Sequence, residues 1–139
     1  MVLRDVVWLF EEANLARFGI DLFTGSKAIL PRGPGPFCTL VESGGQPPDG
    51  THNMVDRPAY VQPSVQVMWR GDDYDATRDR AQASFEVLYR TRNQFVNATW
   101  WVRVLMKQQP FDLGPDDVGR PRIVFNIDVL KRMSPETSR

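Results

Sequence analysis

One histidine, one cysteine and several groups of aspartates are the residues of this 139-residue sequence whose types could do chemistry. His52 stands in Gly50-Thr51-His52-Asn53. A general base needs a positioned partner, and none is evident at any useful spacing. One His with one Cys does not complete a common zinc set. Cys38 has no second cysteine with which to form an internal disulfide. It lies in the apolar run Phe37-Cys38-Thr39-Leu40-Val41 and reads as a small buried hydrophobe. Asp72, Asp73, Asp75 and Asp79 could in principle supply oxygen ligands, but a hard cation needs them to converge on one point. Here they open a helical pattern, where carboxylates cap free N–H groups and complement the helix dipole. Asp116 and Asp117 are a similar case in a turn. No metal, no cofactor and no catalytic residue is expected.

Several short motifs have ordinary explanations. Arg70-Gly71-Asp72 spells an adhesion tripeptide, yet it falls where a strand meets a helix and reads as a Gly bend followed by an Asp cap. Asn97-Ala98-Thr99 matches a glycosylation acceptor, which is idle without a secretory signal. Gly33, Gly35 and the Gly44-Gly45 pair lack the spacing and the lysine of a phosphate loop. There is no Ser/His/Asp set, so an enzyme is not expected.

The elements that must position these residues follow from periodicity. Residues 3–18 read as a helix with Val6, Phe10, Ala13 and Arg17 on one face and Leu3, Val7 and Leu9 widening it. Gly19 reads as its stop, and Trp8 as core edge. Residues 20–24 and 37–42 are strand candidates. Residues 43–63, rich in Gly, Pro, Asp and Asn, read as a long loop, and loops of that length in a compact domain are usually functional or disordered. From 64 to 70, Val65, Val67 and Trp69 alternate with Gln66, Met68 and Arg70. Asp72 or Asp73 then caps a helix reaching about Arg92, with Tyr74, Thr77, Ala81, Phe85, Leu88 and Tyr89 as its apolar face. Residues 100–109 and 122–132 are two long strands joined by a large loop. In the first, Trp101, Arg103 and Leu105 alternate against Val102, Val104 and Met106. In the second, Ile123, Phe125, Ile127 and Val129 share a face opposite Asn126 and Asp128. The expected architecture is α+β, two-layered, with a small mostly antiparallel sheet and two helices on one face. It forms a single domain over residues 1–133, with 134–139 as a frayed tail.

Composition sets the limits on function. The chain carries 17 basic and 17 acidic residues, so no overall field draws it to nucleic acid or to a membrane surface. A hydrophobic content of 42% is ordinary for a globular protein. The apolar run near the start is too short to span a bilayer, and its early acid does not fit a signal peptide; a soluble cytoplasmic product is expected. The basic residues are mostly Arg, which suits bidentate interface contacts, although a GC-rich genome gives the same bias. Adjacent Trp100 and Trp101 must point to opposite faces of a strand. The outward one is either an interface anchor or is covered by another segment.

Three segments in order carry a family likeness. They are Gly44-Gly45-Gln46-Pro47-Pro48-Asp49, then Val65 to Tyr74 with Arg70-Gly71-Asp72-Asp73-Tyr74, then Pro110-Phe111-Asp112-Leu113-Gly114 followed by Asp117-Val118-Gly119-Arg120-Pro121. Together they resemble the siphovirus tail terminator proteins, also called phage minor capsid proteins. The likeness runs from about Phe37 to Arg132. It implies a structural virion protein that forms a hexameric ring, caps the tail tube, stops its polymerisation and meets the head-completion (stopper) protein. DNA would only pass through the lumen, whose lining should then be acidic or neutral. The implied place is the virion, at the head–tail interface, with assembly in the host cytoplasm. An alternative is a head-completion or connector protein of the same junction, or a non-catalytic binding module. The two Pro-rich loops are the expected contacts, because Pro lowers the entropy cost of ordering. Pro47, Pro48, Asp49, Met54, Tyr60, Trp100, Phe111, Leu113 and Arg120 are the interface candidates.

Overall fold

The computed structural model describes residues 2–25, 31, 33–49 and 60–132, with side chains described for all of these except 45–49. Its elements run α1 (Val2–Glu12), β1 (Leu22–Thr24), β2 (Phe37–Asp49), β3 (Tyr60–Arg70), α2 (Tyr74–Arg90), β4 (Arg92–Val96), β5 (Thr99–Met106), β6 (Phe111–Asp112) and β7 (Arg122–Arg132). The strands form one seven-stranded sheet in the order β1-β2-β3-β7-β5-β4, with β6 continuing along the β5 side of β7. Only β1 pairs in parallel, so the sheet is mostly antiparallel and the fold is α+β.

Both helices cover the same face. Val65, Val67 and Trp69 of β3 and Ile123, Phe125, Ile127 and Val129 of β7 are fully buried there, as strict alternation requires. The Phe10 ring of α1 packs against Trp69 at 6.4 Å, and Phe85 of α2 meets Phe125 edge-on at 5.5 Å. The buried Trp69 indole donates to Ser84 Oγ at 3.0 Å, so the polar end of this large core side chain is satisfied. Trp8 packs at the core edge.

Several boundaries differ from the periodic reading. α1 ends at Glu12, six residues before the expected end, because Asn14 takes a left-handed φ of 57°. The amides of Asn14 and Leu15 return to the carbonyls of Glu11 and Phe10, closing the helix in the manner of a Schellman cap. Ala13 and Arg17 are consequently exposed rather than on the core face. On α2, Tyr74 (44% exposed) and Tyr89 (66%) fall outside the apolar stripe, whose buried members are Thr77, Ala81, Ser84, Phe85 and Leu88.

The expected loop over residues 43–63 is in large part a hairpin. β2 continues to Asp49, with Gly45 opposite Pro63, Gln46 opposite Gln62 and Asp49 opposite Tyr60. Register shifts after Glu42 and after Gln46 absorb the residues that read as loop formers: Gly44 at a φ of 97°, and the Pro47-Pro48 pair. Proline lacks a donor and is tolerated where the ladder is interrupted. His52 and Met54, like the expected tail at 134–139, lie outside the described residues.

The sequence reading missed β4 altogether. It pairs with β5 through a two-residue turn in which Asn97 and Ala98 both have positive φ, 49° and 70°. That is the geometry a tight hairpin requires, but Ala is an unusual occupant and hides the signal. In β5 a shift in pairing to β7 between Trp101 and Arg103 inserts one extra residue. Uninterrupted alternation would bury Arg103 and Leu105 beside Trp101. The bulge instead turns Val104 and Met106 toward the core and leaves Arg103 and Leu105 exposed.

Candidate functional site

The junction between β3 and α2 is built around Gly71. A side chain there would lie 2.6 Å from Thr77 Oγ1 and 3.1 Å from the Pro34 carbonyl, so only glycine lets these segments meet. Asp73 caps α2 by accepting from the Ala76 amide at 3.3 Å, as the sequence implied.

Against this junction the 110–121 connection is held by side chains rather than left free. Asp116 accepts from the amides of Val118 (3.0 Å) and Arg120 (2.8 Å) and pairs with Arg70 at 3.0 Å. Burial pushes the Asp116 carboxyl upward, but the two amide hydrogen bonds and the nearby Arg70 and Arg120 charges outweigh it and hold its pKa below the ordinary value. Arg120 pairs with Asp72 at 3.3 Å, Arg122 donates to the carbonyls of Gly114 and Pro115, and Arg78 donates to that of Pro110. The connection is therefore a rigid platform. It displays Phe111 at 39%, Leu113 at 42% and Val118 at 74% exposure. Val118 was not among the candidates; its signal was an apolar residue within an Asp-Asp-Val-Gly turn.

The remaining candidates lie elsewhere. Tyr60 is half-buried and pairs with Asp49 on one side and Arg132 on the other. Trp100, also half-buried, meets the exposed Phe95 edge-on at 5.0 Å, while Trp101 is fully buried. Pro47 and Pro48 sit within the β2 register shift. The structure thus separates the candidates into two groups. Asp49, Tyr60 and Trp100 lie toward the Lys131–Arg132 end of β7, and Phe111, Leu113 and Arg120 toward its Arg122 end. Eleven strand residues place these ends roughly 35 Å apart.

One buried polar cluster had no sequence forewarning. Asp5 Oδ2 accepts from both Lys131 Nζ (3.1 Å) and Trp101 Nε1 (3.2 Å), and Asp5, Lys131 and Trp101 are all buried. It ties the first turn of α1 to the end of β7. Cys38 is fully buried, and burial first, with the Asp21 charge second, raises its thiol pKa well above the ordinary value, so it is a packing residue and not a nucleophile. Among the described residues no group of three or more His, Cys, Asp or Glu is placed to hold a metal ion, and no helix is long and apolar enough to cross a membrane.

No family model matches the sequence, and no curated protein matches it either. Among solved structures, the chain is similar to one from the virion of a native gene transfer agent particle. The TM-score is 0.65 at 13% identity, over 95% of this chain and 95% of that chain. The two chains share a fold across nearly their whole length.

What this arrangement offers is surface: a rigid apolar platform at one end of the long strands and an aromatic group at the other.

Proposed function

We propose that this protein is a structural subunit of a phage-like virion and, within that class, a tail terminator. On this reading it forms a hexameric ring that caps the tail tube, stops its growth and meets the head-completion protein, with DNA passing through the lumen. Assembly takes place in the host cytoplasm and the protein remains in the virion at the head–tail interface. The observation that carries the virion assignment is the end-to-end likeness to a chain of a gene transfer agent virion. The finer assignment rests on the ordered segments around Pro47, Arg70 to Tyr74 and Phe111 to Pro121. Two separated contact groups suit a ring subunit that must touch one neighbour on the tube side and another on the head side. The reading gives the protein work that surfaces do, without a catalytic residue.

Electron microscopy of particles from a virus lacking the gene tests it. Overlong tails beside full, unjoined heads are expected. Tails of normal length that fail to join would move the protein to the head-completion side, and intact particles would remove it from assembly.

A further inference from the structure

Arg92 of β4 and Arg103 of β5 are cross-strand partners, and like charges placed directly opposite oppose strand pairing. The sheet contains the same juxtaposition at Arg70 and Arg122. There the fold relieves it: Arg70 pairs with Asp116 at 3.0 Å, and Arg122 donates to two backbone carbonyls at 3.0 and 3.2 Å. Arg92 and Arg103 have no ion pair or side-chain hydrogen bond among the described residues, and both are exposed. Arg90, in the last turn of α2, joins them. With Tyr89, Thr91 and Val104 the three arginines line a cleft of about 370 Å³ that has no carboxylate in its wall.

The start of α2 carries the opposite charge. Asp75 and Asp79 stand one turn apart, exposed, and neither has an ion pair among the described residues. Like charges at that spacing weaken a helix. Asp72, three residues before Asp75 in the chain, is paired with Arg120 and is itself more than half exposed. Along the helix, Asp75 and Asp79 stand roughly 20 Å from Arg90. Among the described residues neither like-charge pair has a side-chain counter-charge, and each fits the other.

We propose that the arginine cleft binds a second copy of this chain, receiving the Asp75 and Asp79 carboxylates of the neighbour's α2. This rests on the reading of the protein as a ring subunit and names the lateral contact that would close the ring. The contact is head-to-tail, joining two different patches, which is the type that generates rings when the rotation closes. Guanidinium groups in a partly enclosed cleft favour carboxylates through paired N–H donors, and the surrounding Tyr89 supplies an aromatic wall.

Charge reversal tests it with the full chain. Arg92→Glu with Arg103→Glu makes the cleft acidic; Asp75→Lys with Asp79→Lys makes the helix start basic. All four sites are exposed, and circular dichroism checks that each double variant folds. In sedimentation velocity at low ionic strength, each variant alone should self-associate about tenfold more weakly than wild type, or worse. An equimolar mixture should recover association, because alternating subunits restore opposite charges at every contact. Added salt should weaken the wild-type contact. Normal association of both variants alone, no rescue in the mixture, or a wild-type chain that stays monomeric at its highest soluble concentration would overturn the proposal. So would loss of binding to a short DNA duplex in the cleft variant with self-association unchanged, which would assign the arginines to phosphates. Association that persists in both variants leaves the ring reading standing with its contact elsewhere, whereas intact particles without the gene would sink that reading itself.

Discussion

Removing the Asp5 carboxylate leaves the Lys131 ammonium buried beside Trp101 with nothing to neutralise it. Breaking a buried pair from one side is far costlier than replacing both partners with apolar groups of similar volume. Asp5→Ala should therefore destabilise the protein by about 3 kcal/mol in urea unfolding, while Asp5→Leu combined with Lys131→Met should recover most of that loss. Equal losses in the single and double variants would show that the pair itself, and not an orphaned charge, supplies the stability. Asp116 makes a prediction with a sign fixed by its environment. Its folded pKa is lowered, so its contribution is complete above the unfolded value of about 3.9 and is lost as pH falls below it through the folded value. In an NMR titration the Asp116 carboxyl and the Val118 and Arg120 amides should move together, with a midpoint below the ordinary carboxylate range. A shared midpoint at or above that range would mean that Asp116 does not lock the connection. Asp116→Asn should abolish the coupled step.

At the scale of elements, the β4–β5 hairpin carries a built-in test of its turn. Ala98 holds a φ of 70°, a conformation that costs an L-residue with a Cβ and costs glycine nothing. Ala98→Gly should stabilise the protein by about 0.5–1 kcal/mol, since Asn-Gly is the preferred pair for such a turn. A loss of stability would mean that the turn is not of this type. The β5 bulge matters more for the fold. By adding one residue it lets a strand that carries the core Trp101 continue with Val104 and Met106 packed against the core while keeping Arg103 in water. The same device in β2 turns what reads as a loop into paired strand, so the ladder absorbs Gly44 and the two prolines in place of ending at them.

At the scale of the whole molecule, the proposed reading of the protein as a ring subunit makes the two residue groups at opposite ends of the central strands its expected contacts with neighbours along the particle axis. Phe111 and Leu113 are exposed on a connection that side-chain hydrogen bonds already hold rigid. Their truncation should therefore leave folding stability within about 0.5 kcal/mol of wild type, as surface changes do, yet impair assembly. The double variant Phe111→Ala with Leu113→Ala, supplied to a virus lacking the gene, is expected to fold normally and fail to restore normal particles. Full restoration would free this end of any contact role. Arg120 belongs to a different experiment. It pairs with Asp72 within the chain, so its substitution would disturb the platform as well as any interface.

Much of this architecture was legible from local pattern alone. The burial of Val65, Val67 and Trp69, the inward run from Ile123 to Val129, the Asp73 cap and the inert character of Cys38 all follow from periodicity and composition. These depend on residues a few positions apart, and the physics of strand alternation and helix capping acts at that range. What the tertiary structure alone decided depends on partners distant in sequence. The early end of α1 shows the competition at short range, since Asn14 closes a helix whose apolar spacing continues past it. The Asp5–Lys131 pair joins residues 126 positions apart, and no spacing rule announces it. The bulge in β5 is set by its neighbour β7, because which residue is extra is defined only once two strands are paired. The same holds for charge. Nothing in the sequence separates Arg70 and Arg122 from Arg92 and Arg103, yet the fold gives Arg70 a carboxylate and Arg122 two backbone carbonyls while leaving Arg92 and Arg103 facing each other. Local interactions choose the elements; long-range neutralisation and packing choose which faces remain open.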